Sequence, residues 1–167
     1  ILRPDVDYVS VKVSAIVSSV SLWAFDDTVD RVVERLLPLY LSAAADGTFI
    51  NLDMEEYRDL DLTIAVFTRL LEDPRLAALE AGIVLQAYLP DALPALRELT
   101  AWARVRVAAG GARIQVRLGE GAHLAMEGVD AAVHAWWPPT DERKTHTDAT
   151  HPRRLGGAPH PPEPATG

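Results

Sequence analysis

The chain contains no cysteine in its 167 residues, so disulfides, thiol nucleophiles and thiolate metal sites are excluded. It lacks any run near the roughly eighteen uninterrupted apolar residues that a membrane-spanning helix needs. It also lacks blocks of like charge, and its net charge of −8 argues against nucleic acid and anionic membrane surfaces as main partners. These absences lead us to expect a cytoplasmic protein, with a peripheral position at the inner face of the membrane as the alternative.

The N-terminus has no initiator methionine, and neither the basic start nor the apolar core of a signal peptide. We therefore interpret residues 1–5 as the interior of a longer chain, entered just before a strand. Hydrophobic residues make up 49% of the sequence and charged residues 24%, which is typical of a globular protein. The length suits one domain with a hydrophobic core.

Short apolar strands alternate with amphipathic helices along most of the chain. Strands are predicted at residues 8–14, 48–53, 82–86 and 113–118. Helices are predicted at about 26–45, from Leu60 to near Asp73, at about 91–109 and from 124 to about 137. Four consecutive β-then-α units predict an α/β fold with a parallel sheet and helices outside it.

The composition changes after Trp137. Seven of the 12 prolines fall in residues 138–167, together with Gly156 and Gly157 and almost no aliphatic side chains. Such a segment buries too little apolar surface to offset its ordering entropy. We predict a folded domain at 1–137 and a disordered Pro/Gly-rich tail at 138–167.

Polar residues near the ends of the predicted strands share one phase of the alternation. The opposite, helix-facing phase consists of Val11, Val13, Ile50, Leu52, Ile83, Leu85, Ile114 and Val116. The inward phase carries Lys12, Asp53, Gln86 and Arg117, each near the C-terminal end of its strand. In a barrel, active sites form at that end, where the βα loops open. Burying such polar groups together is costly unless they pair or bind a polar ligand, so the pattern favours a polar ligand site without specifying its chemistry.

Four motifs at these positions resemble the proline dehydrogenase family, in the form fused to pyrroline-5-carboxylate dehydrogenase in bacterial bifunctional enzymes. They are Val-Lys-Val-Ser-Ala at 11–15, Asn-Leu-Asp-Met-Glu-Glu-Tyr at 51–57, Leu-Gln-Ala-Tyr at 85–88 and Val-Arg-Leu at 116–118. The resemblance runs from Tyr8 to about Trp137, and the motifs are specific only in combination. It implies a partial (β/α)8 TIM-type barrel of about four β/α units.

The resemblance further implies FAD-dependent oxidation of L-proline to 1-pyrroline-5-carboxylate, with candidate catalytic residues Lys12, Asp53 and Arg117. Lys12 would meet the substrate carboxylate, and Asp53 would help to hold Lys12 and the flavin edge. Gln86 would hydrogen-bond the isoalloxazine, and Arg117 would place positive charge near flavin N5. The implied cofactor-binding residues are Asp53, Gln86, Arg117, Gly119, Glu120, Gly121, Ala122 and His123. For His123, a solvent-facing loop position is the alternative.

The resemblance also implies partners and leaves alternatives open. Besides L-proline, the expected partners are a quinone-type electron acceptor and either the remainder of the barrel or a fused pyrroline-5-carboxylate dehydrogenase domain. Glu120 stands where the family has a flavin-contacting lysine, and the family's later strands and paired arginines are missing from the sequence. We therefore expect a truncated domain that does not oxidise proline at a useful rate by itself.

Two other interpretations of the sequence remain. In the first of them, the chain is a degenerate fragment without catalytic activity. In the second, it is a divalent-metal-dependent barrel enzyme that uses Asp53. The carboxylates Asp53, Glu55 and Glu56 suggest the metal site. We prefer to interpret them as a strand-end carboxylate followed by a solvated helix start, and we predict no metal.

Overall fold

The computed structural model describes residues 6–16, 24–55 and 57–119. Its strands and helices are β1 (Tyr8–Lys12), α1 (Phe25–Asp46), β2 (Phe49–Asp53), α2 (Leu60–Leu71), β3 (Ala81–Gln86), α3 (Ala92–Ala108) and β4 (Ile114–Gly119). Single 3₁₀ turns occur at Val13–Ala15, Tyr57–Asp59 and Pro74–Leu76. Among the described residues, no helix is long and apolar enough to cross a membrane.

The four strands form one parallel sheet in the order β1-β2-β3-β4. A helix follows each of the first three strands before the chain returns to pair with its neighbour. Sequential parallel strands joined through helices are the repeating unit of a (β/α)8 barrel. The predicted α/β fold with a parallel sheet is therefore confirmed, as an open portion of such a barrel.

The core lies between the helices and the helix-facing side of the sheet. From the sheet, Ile50, Leu52, Ile83 and Leu85 are fully buried against apolar residues of the helices. Helix α1 buries one stripe at helical spacing, consisting of Val29, Val32, Leu36, Tyr40 and Ala43. This packing fixes which side of each strand faces the helices, so the other side is available to form a site.

The start and end of α1 follow from its terminal residues. Asp26 and Asp27 lie in the first turn, where carboxylates interact favourably with the helix dipole. Gly47 ends the helix with a φ of 72°, a left-handed conformation that glycine adopts without a Cβ penalty. The predicted helix at about 26–45 is thus correct to within one residue at each end.

The prediction for β1 was wrong at its C-terminal end. The strand stops at Lys12 instead of residue 14, because Val13–Ala15 turn into a 3₁₀ helix in which Ile16 N donates to Val13 O at 3.0 Å. The neighbouring strand ends in register, since Lys12 pairs with Asp53, the last residue of β2. The predicted helix at 124–137 and the tail at 138–167 lie outside the described residues.

Tyr40 offers a test of the packing. Its hydroxyl is fully buried with no hydrogen-bond partner among the described residues, and burial raises its pKa. We expect Tyr40→Phe to leave the free energy of unfolding within about 1 kcal/mol of the original or to raise it, because the buried hydroxyl contributes no bond. Tyr40→Ala should lower it by about 3–5 kcal/mol through the cavity it leaves. Denaturant titration measures both, and a loss above about 2 kcal/mol for Tyr40→Phe would contradict this account.

Candidate active site

The polar strand-end residues meet on the sheet face that points away from the helices. Lys12 is the register partner of Asp53, Asp53 that of Val84, and Val84 that of Arg117. Side chains of register partners point to the same side of a parallel sheet. Gln86 lies two residues beyond Val84 and therefore on the same side, at the last residue of β3. The structure thus brings all four predicted residues together at the C-terminal edge of the sheet.

The carboxylate of Asp53 is the centre of this cluster. Ser10 Oγ donates to its Oδ2 at 2.6 Å, and Asn51 Nδ2 donates to its Oδ1 at 2.6 Å. Arg117 Nη2 lies 3.4 Å from the same Oδ1 and forms an ion pair with it. Three donors on one carboxylate fix its orientation, and Asp53 in turn restrains the otherwise exposed guanidinium of Arg117.

Lys12 is held by a residue that the sequence analysis placed elsewhere. Its Nζ lies 2.6 Å from Glu55 Oε1. The hydrogen bond and charge of Glu55 raise the pKa of Lys12, and the charge of Asp53 adds to the effect. The interpretation of Glu55 as part of a solvated helix start was therefore wrong, because α2 begins only at Leu60. Asp53, expected to hold Lys12, acts on it through charge while Glu55 makes the contact.

Gln86 carries a buried acceptor that no described residue uses. Its side chain is 6% exposed, and its Nε2 donates to Met54 O at 3.1 Å. Its Oε1 is buried and has no hydrogen-bond partner among the described residues. A buried acceptor without a donor costs about 1–3 kcal/mol. A ligand with an N–H or O–H group at this position would remove that cost.

Glycines make room for both side-chain amides of the cluster. Gly119 is the register partner of Gln86, and a Cβ there would lie 2.4 Å from Gln86 Oε1. Gly82 is the partner of Asn51, and a Cβ there would lie 2.3 Å from Asn51 Oδ1. Neither separation is tolerated by real atoms, so each glycine preserves the position of the amide beside it.

The remaining predicted site residues are only partly within the structure. Gly119 is described, whereas Glu120, Gly121, Ala122 and His123 lie outside the described residues. Ser10, Asn51 and Glu55 are site residues that the sequence analysis missed. Ser10 and Asn51 lie two residues before Lys12 and Asp53 in their strands and therefore on the same side of the sheet. This shared side was the signal that could have identified them.

The groups around the Asp53 carboxylate bear on the alternative interpretation, in which Asp53 binds a metal ion. Among residues 6–16, 24–55 and 57–119, no group of three or more His, Cys, Asp or Glu side chains is placed to hold a metal ion. The partners of the Asp53 carboxylate are a hydroxyl, an amide N–H and a guanidinium. This surrounding suits a carboxylate that orients cationic and polar groups.

Comparisons with known proteins agree with the fold. The chain is similar to proline utilization A (PutA) from Corynebacterium freiburgense, with 48% identity and a TM-score of 0.87 over 91% of this chain and 16% of that one. It is similar to PutA from Bdellovibrio bacteriovorus, inactivated by N-propargylglycine, with 34% identity and a TM-score of 0.80 over 87% of this chain and 15% of that one.

A curated relative gives the same result. The bifunctional protein PutA of Klebsiella aerogenes is 28% identical over an alignment of 154 residues that covers 86% of this chain and 11% of that protein. The chain thus spans between 11% and 16% of the length of these three relatives. A model of the proline dehydrogenase family matches residues 2–155. Because this match covers most of the sequence and the fold agrees, the chain belongs to the proline dehydrogenase family.

Proposed function

We propose that this chain supplies part of the active site of an FAD-dependent enzyme that oxidises L-proline to 1-pyrroline-5-carboxylate. The observation that carries the proposal is the cluster itself, in which Lys12, Asp53, Glu55 and Arg117 lie at one edge of the sheet beside the unpaired acceptor of Gln86. Membership of the proline dehydrogenase family supports it. The activity would belong to the full-length protein, of which this chain is a segment.

The residues present fit a flavin. The buried Gln86 Oε1 lacks a donor among the described residues, and Gly119 leaves room for the amide that carries this oxygen. The isoalloxazine carries an N–H group that can donate to such an acceptor. We propose that Gln86 and Gly119 line the flavin site and that Arg117, oriented by Asp53, supplies positive charge to it. When bound, FAD supplies the hydride-accepting chemistry that none of these side chains can provide.

Lys12 and Asp53 would serve the substrate and its surroundings. An ammonium is a point charge with three donors, and Lys12 would use them to bind the carboxylate of L-proline. Asp53 would keep Arg117 in place through the 3.4 Å ion pair. Fixing both cations before the substrate arrives lowers the cost of orienting it, which is the main contribution of binding residues to rate.

Gly119→Ala in the full-length protein is expected to raise the Kd for FAD about tenfold, because its Cβ displaces the Gln86 amide from the flavin site. The free energy of unfolding without FAD should fall by only about 1 kcal/mol, since the displaced atom is the end of a flexible side chain. Flavin fluorescence titration measures the Kd. In a Gln86→Ala background the same substitution should have no further effect, and an additive loss there would contradict the role of Gly119.

We further propose that the native protein is bifunctional and passes its electrons to a quinone-type acceptor. The Klebsiella aerogenes relative is named bifunctional, and this chain covers only 11% of its length, which leaves room for a second dehydrogenase domain.

Product formation by the full-length protein tests the main proposal. L-proline with a quinone analogue should yield 1-pyrroline-5-carboxylate, and a purified flavin-loaded protein that leaves L-proline unchanged would overturn it.

A further inference from the structure

Lys12 is an exposed lysine with a fixed ammonium. Its side chain is 56% exposed, whereas the side chain of its partner Glu55 is 19% exposed. A lysine on a strand end carries about 2 kcal/mol of rotamer entropy and would ordinarily sample many positions. The 2.6 Å contact with Glu55 selects one of them.

Glu55 is held in turn by anchors on both sides of it. Before it, Met54 O accepts a hydrogen bond from Gln86 Nε2 at 3.1 Å, and the Met54 side chain is buried. After it, Tyr57 Oη donates to Asp91 Oδ2 at 2.5 Å, which ties the segment to the residue preceding α3. The segment that carries Glu55 is therefore fixed to the next β/α unit of the sheet.

We propose that Glu55 is a positioning residue that holds the Lys12 ammonium, in register with Asp53, for the carboxylate of the amino-acid substrate. The proposal rests on the proposed function, because it assigns that carboxylate to Lys12. Glu55 occupies one of the three ammonium donors and leaves two for the substrate. It also balances charge, since Asp53 and Glu55 together offset Lys12 and Arg117. A cluster without net charge suits a zwitterionic substrate better than it suits a dianionic substrate.

The test is a double-mutant cycle in the full-length flavin-loaded protein, with Lys12→Met, Glu55→Gln and the double variant. Glu55→Gln retains the shape and an acceptor but removes the charge. We expect it to raise the KM for L-proline about tenfold, within the range for coupled neighbours, and to change kcat much less. In the Lys12→Met background it should have no further effect.

Two controls separate positioning from general damage. Pyrrolidine, the same ring without the carboxylate, should bind equally well to the original protein and to Glu55→Gln. Glu98→Gln, at an exposed site on α3, should leave KM and kcat unchanged. Additive losses in the double variant, or an equal loss of pyrrolidine binding, would overturn the positioning role while leaving the proposed function intact. If the original protein neither binds nor oxidises L-proline, the proposed function fails and the assignment of Glu55 fails with it.

Discussion

Asp53→Ala in the full-length protein is expected to lower kcat/KM for L-proline by about 100- to 1,000-fold. The substitution removes the shared acceptor of Ser10, Asn51 and Arg117, so the guanidinium loses its fixed position and two polar groups of the cluster lose their partner. Preorganised charge at a reacting centre contributes this much because it needs no rearrangement during the reaction. Steady-state kinetics with L-proline, combined with a flavin titration, measure the loss.

A matched ion pair on the outer helices provides the control. Asp30 Oδ1 lies 3.3 Å from Arg69 Nη1, close to the 3.4 Å separation of the Asp53–Arg117 pair. Both partners of the Asp30–Arg69 pair are exposed, so Asp30→Ala should change kcat/KM and stability very little. A similar loss of activity in the two alanine variants would contradict the assignment of Asp53 to the active site.

Arg106→Met is expected to destabilise the fold strongly, with a loss of about 3–5 kcal/mol in the free energy of unfolding. The guanidinium of Arg106 donates to five backbone carbonyls, those of Leu71, Leu76, Ala77, Leu79 and Ala112. These carbonyls lie at the end of α2, in the connection to β3 and just before β4. Desolvation at this site lowers the pKa of Arg106, and methionine keeps the apolar volume while removing every donor.

The same substitution at a neighbouring arginine tests this explanation. Arg104 is exposed on the same helix, so Arg104→Met should change the free energy of unfolding by less than about 0.5 kcal/mol. Denaturant titration compares the two variants, and amide hydrogen exchange should show the Arg106→Met loss first in the α2–β3 connection. Equal stability of the two variants would show that the carbonyls obtain other donors at little cost.

The fold was predictable because its signals are periodic. Apolar residues alternate with polar ones along the strands and recur at helical spacing along α1. Both patterns arise because the apolar side chains are the ones that face the core. The same alternation placed Lys12, Asp53, Gln86 and Arg117 on one face, since strand phase does not depend on knowing the neighbouring strand. Parallel order followed from the β-then-α repeat.

The rest of the site depends on strand register and loop geometry, and the alternation of apolar and polar residues within a strand predicts neither. Glu55 follows the end of β2, where no strand phase constrains its direction, so its contact with Lys12 could not be inferred. The need for glycine at Gly82 and Gly119 becomes visible only once Asn51 and Gln86 are known to be their partners across the sheet. The end of β1 at Lys12 could not be inferred for a similar reason, because the 3₁₀ turn at Val13–Ala15 that ends it interrupts an alternation that continues in the sequence.

We propose that this sheet edge holds FAD and L-proline together, and an anaerobic titration of the full-length protein tests this proposal most directly. The full-length protein, loaded with FAD and mixed with L-proline in the absence of any electron acceptor, should lose the visible absorbance of oxidised flavin in a saturable way. Lys12→Met should require a much higher L-proline concentration for the same change. A flavin spectrum that L-proline leaves unchanged in the original protein would contradict the claim.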